Sequence, residues 1–367
     1  PQSNNQVLER LPFKPTDSTA REIAEMRAKL LQNPRDAEIA VRLARSYYNL
    51  VSEEGDPRYL GYAQAALAPW WTLHEPPREV RVLRASLLQF RHDFDGAMAD
   101  LNQILEHNPR HPQARSLRAI IHIIQARYSQ AQSDCQAMRG VASDLIANGC
   151  EAMVKGLTGQ ASNAYQILNN ALQQYPNAST EEKLWVSIRL AEIAQRLNQP
   201  ALAEIHFKQG LALRVVNTFL LGAYADFLLD QHRPAEVVTL LKDKTRSDSL
   251  LLRLVLAERA LQLPTAKERE ASLAARYAAA QLRGDKVHQQ EEAQFALQVQ
   301  HDPQKALLLA QENWKVQREP RDARVFLDAA LALKDAQASQ PVMKWLEDNH
   351  IEDAHLHQLA RQLKGIR

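Results

Sequence analysis

Residues 92–112 read HDFDGAMADLNQILEHNPRHP, and the spacing of their apolar side chains decides the fold. Apolar residues recur at intervals of three or four positions, which places them on one stripe of an α-helix. They are Phe94, Ala97, Leu101 and Leu105. Asp93 or Asp95 can accept hydrogen bonds from the first helical turn. Pro109 ends the helix, because a proline drives the residue before it away from helical geometry. The small Ala97 lets a neighbouring helix approach closely.

The same pattern returns about every 34 residues along the chain. In the first copy Tyr128 replaces Phe94, and a second small residue, Ala131, keeps the register. The copies are 126–138 (ARYSQAQSDCQAM), 159–176 (GQASNAYQILNNALQQYP) and 198–213 (NQPALAEIHFKQGLAL), with weaker ones from His232 and His301. A repeat of this length predicts one helix pair per unit, stacked into a solenoid.

A second amphipathic stretch, with a small residue of its own, precedes each copy. In VRVLRASLLQF at 80–90, for example, Ala85 lies between Leu83 and Leu88. This large–small–aromatic pattern, followed by A-x3-[FL] and a terminal Pro, resembles the tetratricopeptide repeat (TPR) family. Residues 78–109 match best, and weaker units extend the resemblance over roughly 36–350. The resemblance implies an all-α fold, a right-handed α-α superhelix.

Composition agrees with an all-α fold in one continuous superhelix. The 367 residues include only 11 glycines and are rich in Ala, Leu, Gln, Glu and Arg, which are strong helix formers. We expect roughly 17 to 20 helices, in about nine helix-turn-helix units. The units start near positions 37, 78, 112, 145, 184, 218, 250, 287 and 322. The predicted order is an extended N-terminal segment (1–16), a helix (17–35), the TPR-like array (36–351) and a C-terminal capping helix (352–367).

The first residues bear on where the protein works. The chain begins with Pro, and a polar Gln/Asn segment of this kind often follows a cleaved secretory signal. We therefore expect a periplasmic or secreted protein. A trimmed N-terminus explains the same start and leaves a cytoplasmic location as the alternative. The sequence has no run of 18 uninterrupted apolar residues, so we predict no membrane span in this chain.

Two cysteines, Cys135 and Cys150, fall on helices predicted to be neighbours in the stack. A disulfide between them is therefore sterically conceivable, and export would favour it. Two buried free thiols are an equally good interpretation, because a free Cys behaves as a small apolar residue. The spacing of the two cysteines fits no zinc motif.

The motifs of common active sites are missing from the sequence. None of GxxxxGK[ST], GxGxxG, HExxH or GxSxG occurs. The densest histidine cluster, HIEDAHLH at 350–357, places His355 and His357 two residues apart, on different faces of a helix. We therefore predict no catalytic residues, no metal site, no cofactor and no enzymatic activity.

Charge excludes two further classes of ligand. The chain has 45 basic and 43 acidic residues, a net charge of +2, and the two signs alternate along the helices. Nucleic-acid binding through counterion release requires a basic stripe, which the sequence lacks. No basic face directed at anionic lipid is present either. The predicted partner is therefore a protein or a peptide.

The TPR resemblance implies that the first helix of each unit lines a concave groove. The predicted groove residues are Arg45, Tyr48, Val82, Ser86, Gln89, Gln113, Ser116, Ile120, Ile123, Met153, Trp185, Ile188, Glu192 and Asp226. The alternative for each is a stacking residue hidden by the next unit. TPR proteins that hold a C-terminal carboxylate use a Lys/Asn/Arg set, where this chain has Val, Ser, Gln and Ile.

The sequence thus predicts a non-enzymatic scaffold that binds a partner protein or peptide in the groove of a TPR superhelix. Two other functions stay open. One is a periplasmic envelope, secretion or polysaccharide-export assembly factor, and the other is a cytosolic regulatory adaptor.

Overall fold

The computed structural model describes residues 18–284 and 288–366, and within these ranges it contains 21 α-helices and no β-strand. An isolated antiparallel bridge joins Thr158 to Ile351. The all-α prediction is confirmed. The helix count exceeds the predicted range by one, because a four-residue helix is inserted in the first unit. The extended segment predicted at 1–16 and the unit start predicted near 287 lie outside the described residues.

The helices form nine pairs between α1 (Ser18–Gln32) and α21 (Ala354–Lys364). The first helices of the pairs are α2 (Ala37–Glu54), α5 (Arg78–Phe90), α7 (Pro112–Ile124), α9 (Asp144–Lys155), α11 (Thr180–Arg196), α13 (Thr218–Asp230), α15 (Asp248–Ala260), α17 (Gln289–Gln298) and α19 (Pro320–Ala332). The second helices are α3 (Arg58–Ala66), α6 (Phe94–His107), α8 (Tyr128–Ala137), α10 (Ala161–Gln174), α12 (Pro200–Ala212), α14 (Pro234–Leu241), α16 (Thr265–Leu282), α18 (Pro303–Trp314) and α20 (Gln340–Asp348). The inserted helix is α4 (Ala68–Trp71). The architecture is a TPR-like solenoid.

A recurring turn joins the two helices of most pairs. One non-glycine residue in this turn has a positive φ, a conformation in which Asn and His are enriched. These residues are His92, Ala126, Asn198, His232, Gln262, His301 and Lys334. Directly after His92, the Asp93 carboxylate accepts a hydrogen bond from the Gly96 amide at 3.0 Å and so caps α6. The turn and the cap together explain the polar start of the sequence motif.

Small residues control the distance between the helices of a pair. Ala97 on α6 is fully buried beside Phe94 and Leu101, in a cluster that also contains Ala85 of α5 and Ile121 of α7. The Cβ of Ala97 leaves no room for a larger side chain without moving a helix. The helical register assigned from the sequence is therefore the register of the structure.

An ion pair that the hydrophobic pattern did not predict lies beside this contact. Two nitrogens of the Arg84 guanidinium donate to the Asp100 carboxylate at 2.6 and 2.7 Å, and both side chains are buried. Arg84 also donates to the carbonyls of Trp71 and Leu73, at 2.7 and 2.9 Å. These bonds fasten the segment after α4 to the second unit, because each remaining donor of the buried guanidinium needs an acceptor.

The solenoid folds back on itself, so units that are distant in the chain are in contact. The Thr218 hydroxyl at the start of α13 donates to the Ser52 carbonyl of α2 at 2.9 Å. The Arg318 amide before α19 donates to the Ile124 carbonyl of α7 at 2.7 Å. The Glu352 amide before α21 donates to the Leu157 carbonyl at 3.0 Å. As a result, the inner surface of the superhelix surrounds a cavity that is open to solvent.

Cys135 on α8 and Cys150 on α9 form a disulfide, with an S–S distance of 1.98 Å and a Cα–Cα distance of 5.4 Å. Both residues are buried in the same hydrophobic cluster as Trp314 and Trp345 of the last two units. The bond therefore joins units three and four at the point where the C-terminal units pack against them. The alternative that both cysteines are buried free thiols does not apply to this structure.

Two searches of the described residues gave negative results. None of the described helices combines the length and the apolar character needed to span a bilayer. No group of three or more His, Cys, Asp or Glu side chains within the described ranges is arranged to hold a metal ion.

We expect Ala97→Leu to lower the free energy of unfolding by about 1–3 kcal/mol, because the larger side chain overpacks the α5–α6 contact. Ala99 is the matched control, since it is exposed on the same helix and can receive the same substitution. Urea unfolding followed by circular dichroism measures both variants. Equal stability of Ala97→Leu and Ala99→Leu would contradict the assigned packing.

Removal of the disulfide in the double variant Cys135→Ala/Cys150→Ala should lower the free energy of unfolding. Loss of a crosslink that closes a loop of 15 residues costs about 3 kcal/mol in the chain-entropy model. Differential scanning calorimetry measures the change, and free-thiol titration of the unfolded wild-type protein tests the bond directly. Two titratable thiols in the non-reduced protein would show that the bond is absent.

Candidate binding site inside the superhelix

A cavity of about 390 Å³ lies at the centre of the closed superhelix. The first helices of units three to seven line one side of it, from Ile123 on α7 to Arg253 on α15. The opposite side is formed by Arg321 and Arg324 of α19 and by His355 at the start of α21. This volume falls within the range of about 300–1,000 Å³ that is usual for ligand-binding cavities.

The lining is rich in charged side chains and contains six arginines and five carboxylates. Four arginines pair one-to-one with four of the carboxylates. The pairs are Arg189–Glu192 at 3.1 Å, Arg253–Asp226 at 2.6 Å, Arg321–Glu319 at 3.0 Å and Arg324–Asp230 at 2.6 Å. Because Arg324–Asp230 joins unit nine to unit six, this pair also holds the cavity closed.

The other two arginines, Arg196 and Arg318, have no carboxylate partner among the described residues. The Arg196 Nε donates to the Gly156 carbonyl at 3.2 Å. The Arg318 Nε donates to the Trp314 carbonyl at 3.3 Å. Burial lowers the pKa of Arg196, since desolvation disfavours its charged form. The fifth carboxylate, Asp353, accepts a hydrogen bond from the Leu356 amide at 3.0 Å, and burial raises its pKa.

Phe219 on α13 presents an accessible apolar ring to this charged cavity. Its side chain is 41% exposed. The guanidinium carbons of Arg189 and Arg321 lie 5.0 and 6.0 Å from the ring centroid, at the distances of cation–π contacts. Val215 and Val216, in the segment before α13, are exposed as well. Phe and Arg are both enriched at the cores of protein–protein interfaces.

Four of the predicted groove residues line the cavity. They are Ile123, Met153, Glu192 and Asp226. Ile123 is buried within the lining, and Glu192 and Asp226 are held in the ion pairs described above. The structure therefore brings together one predicted groove residue from each of units three to six.

Three of the predicted groove residues are buried instead, as the stacking alternative expected. They are Val82, Ser86 and Ile188. Val82 is buried in the cluster of α5, α6 and α7. The Ser86 hydroxyl donates to the backbone carbonyl of Val82 at 3.1 Å. Ile188 is buried in the cluster formed with α12 and α13. The prediction that these three residues line an open groove is wrong, because neighbouring helices cover them.

The remaining predicted groove residues lie away from the cavity lining. Arg45 and Gln113 are exposed, while Gln89, Ser116 and Ile120 are half-buried. Tyr48 makes an edge-to-face contact with Phe90, with 6.5 Å between the ring centroids. Trp185 covers Gly149 of the preceding first helix, α9. None of these positions belongs to the cavity lining.

The sequence analysis missed Phe219 and the cavity arginines. Arg189, Phe219 and Arg321 come from units five, six and nine, so no local spacing joins them. A signal was nevertheless present. Phe219 precedes the buried face of α13 and is the large apolar residue that the helical pattern of that unit does not need.

Comparisons with known proteins give similarity only at the level of solved structures. No family model matches the chain, and no curated protein matches it. A tetratricopeptide repeat protein from Parabacteroides merdae is 16% identical with a TM-score of 0.46. The match covers 70% of this chain and 90% of the P. merdae chain. Yeast Tom70 is 14% identical with a TM-score of 0.44, and the match covers 98% of this chain and 70% of the Tom70 chain. A chain of the APC/C hetero-tetramer Cut9-Hcn1 is 13% identical with a TM-score of 0.44, and the match covers 94% of this chain and 80% of that chain.

The contact between Gly149 and Trp185 generates a stability test. A methyl group at position 149 would overlap the indole ring, so Gly149→Ala should cost about 1–3 kcal/mol of unfolding free energy. The control is Gly61→Ala on α3. A Cβ there meets no heavy atom within 4 Å, so the substitution should stabilise by about 0.5–1 kcal/mol through helix propensity. Chemical denaturation distinguishes the two, and a stabilising Gly149→Ala would exclude the contact.

Proposed function

We propose that the chain is a non-enzymatic scaffold that binds a segment of a partner protein at its central cavity. The observation that carries this proposal is Phe219, an exposed aromatic ring at the cavity between Arg189 and Arg321. Burying such a ring against a partner removes apolar surface from water, and the adjacent guanidinium groups add directed hydrogen bonds. The site is therefore suited to a ligand with apolar and polar groups side by side.

A peptide segment has this combination of groups. Its backbone carbonyls can accept hydrogen bonds from arginine, and its amides can donate to carboxylates such as Glu192 and Asp226. The exposed Val215 and Val216 extend the apolar surface beside Phe219. A cavity of about 390 Å³ holds a short stretch of chain. The partner would therefore insert one segment and leave its remaining surface outside.

The disulfide supports a location for this function. Cys135 and Cys150 are bonded, and structural disulfides persist in oxidising compartments such as the bacterial periplasm or the extracellular space. We propose that the protein works in such a compartment, as an assembly factor of the envelope, of secretion or of polysaccharide export. A cytosolic adaptor would keep its two cysteines reduced and is the less favoured alternative.

Substitution at Phe219 tests the proposed function. Immobilised wild-type protein, Phe219→Ala and Ile205→Ala are used to capture proteins from an extract of the source organism, and the retained proteins are identified by mass spectrometry. Ile205 is the control, because it is an exposed apolar residue on α12 outside the cavity lining. We expect one partner to bind wild type and Ile205→Ala equally. Its affinity for Phe219→Ala should be at least tenfold weaker, about 1.4 kcal/mol.

The affinity of the purified partner for each variant is then measured by isothermal titration calorimetry. A partner that binds wild type and Phe219→Ala equally, but not Ile205→Ala, would place the binding surface on the outside of the solenoid. That result would contradict the proposed use of the cavity.

A further inference from the structure

The linker between α12 and α13, residues 214–217, is extended and exposed. Arg214 has a positive φ of 58°, which turns the chain out of α12, and Asn217 is extended, with φ −141° and ψ 114°. Val215 and Val216 between them belong to no helix or turn, and they are 36% and 46% exposed. β-branched residues of this kind favour extended backbone. The linker therefore resembles one short strand on the surface of an all-α protein.

Most backbone groups of this linker form no hydrogen bond with any described residue. They are the amides of Val215, Val216 and Asn217 and the carbonyls of Arg214, Val215 and Val216. The linker before α7 differs, because there the His111 amide donates to the Asn108 carbonyl at 3.1 Å. Linker 214–217 thus presents a row of main-chain donors and acceptors to water.

An extended backbone presents its polar groups on two edges. The amide and the carbonyl of one residue point to the same edge, and those of the next residue point to the opposite edge. One edge of the linker therefore carries both groups of Val215 and the Asn217 amide. The other edge carries both groups of Val216 and the Arg214 carbonyl. Pairing ends at Asn217, because its carbonyl already accepts from the Leu221 amide at 3.1 Å.

The linker leads directly to the central cavity. Thr218 and Phe219, which follow it in the chain, both line the cavity. The hydrogen bond from the Thr218 hydroxyl to the Ser52 carbonyl, at 2.9 Å, fixes this end of the linker against α2. At about 3.3 Å per residue, about four extended residues of a partner would cover the linker. The residues beyond them would lie at Phe219.

We propose that residues 214–217 bind the partner segment as an added β-strand. This site rests on the proposed function, because the added strand belongs to the segment that is inserted at the cavity. The segment is extended, and its amides and carbonyls exchange hydrogen bonds with one edge of the linker. Val215 and Val216 contact β-branched or other apolar side chains of the segment. Strand addition of this kind takes its affinity from the main chain and its specificity from neighbouring side chains.

A helical partner does not fit the linker in this way. The amides and carbonyls of a helix are bonded within the helix, so they are not available to pair with the linker. Two paired strands alone are only marginally stable in water. An additional contact is therefore needed, and the exposed ring of Phe219 supplies one next to the linker.

The test uses the full chain and three peptide probes. The first probe is a pool of acetylated heptapeptide amides with Val or Thr at the three central positions and random flanking residues. The second is the same pool N-methylated at those positions, which blocks both edges and leaves the side chains unchanged. The third is an acetylated helical peptide amide rich in Ala, Glu and Lys. Retention on immobilised protein is measured by mass spectrometry, and hydrogen exchange at single-residue resolution locates the protected amides.

We expect the unmethylated pool to bind, and the N-methylated pool to bind at least about tenfold more weakly, because several main-chain hydrogen bonds are lost. Bound peptide should slow exchange of the Val216 amide, or of both the Val215 and Asn217 amides, according to the edge used. The exposed linker residues His74 and Glu75 are the control and should exchange as in the free protein. Val215→Thr/Val216→Thr keeps the backbone and the branched shape, so it should bind the unmethylated pool within about threefold of wild type.

Several results would overturn the strand site. Equal binding of the two pools, stronger binding of the helical peptide, or unchanged exchange at 215–217 each contradicts strand pairing. If exchange at 215–217 is unchanged while partner capture still depends on Phe219, the strand site is excluded and the proposed function stands. If the unmethylated pool protects these amides, but neither the pool nor the captured partner binds Phe219→Ala more weakly, the strand site stands and the proposed use of the cavity is contradicted.

Discussion

Packing of the C-terminal units against units three and four is the constraint on which the rest of the structure depends. The rings of Trp314 and Trp345 meet edge to face with 5.3 Å between their centroids, and the Trp345 indole N–H donates to the Tyr128 hydroxyl at 3.2 Å. The same cluster contains the disulfide. Burial of two indoles and a phenol removes several hundred Å² of surface from water. Units three and four thereby contact units eight and nine as well as their neighbours in the chain, and the concave groove becomes a cavity.

Closure changes what the inner helices can do. In an open solenoid the first helices would offer one long surface, and residues of units one and two would continue the surface of units three to six. Here α13 and the turn after α18 cover parts of that surface, so Tyr48 and Gln89 are separated from the cavity. The accessible inner surface is short and rich in charge. A surface of this length has no room for a long helix to lie across it.

Buried charge fixes the alignment of neighbouring helices at several places. Arg84 and Asp100 join α5 to α6, and both Arg115 and Arg118 of α7 donate to the buried carboxylate of Asp134 on α8. Loss of one partner from such a pair leaves an uncompensated charge in a low-dielectric interior, which costs about 3–5 kcal/mol. Apolar stripes tolerate small slips of one helix along another, whereas these hydrogen bonds do not. In the cavity the Arg324–Asp230 pair likewise joins unit nine to unit six.

The periodicity of the sequence by itself determined the all-α class, the pairing of the helices and the role of small residues such as Ala97, because these depend on contacts between helices close in the chain. The two cysteines in the sequence made a disulfide possible but did not show that it forms. A disulfide requires a short distance between the two residues in space, and their separation along the chain does not give that distance. Only the tertiary structure decided that the solenoid closes, that Val82 and Ile188 are covered, and that Arg189, Phe219 and Arg321 meet. Those contacts join units far apart in sequence, and their formation depends on the accumulated rotation of every unit between them.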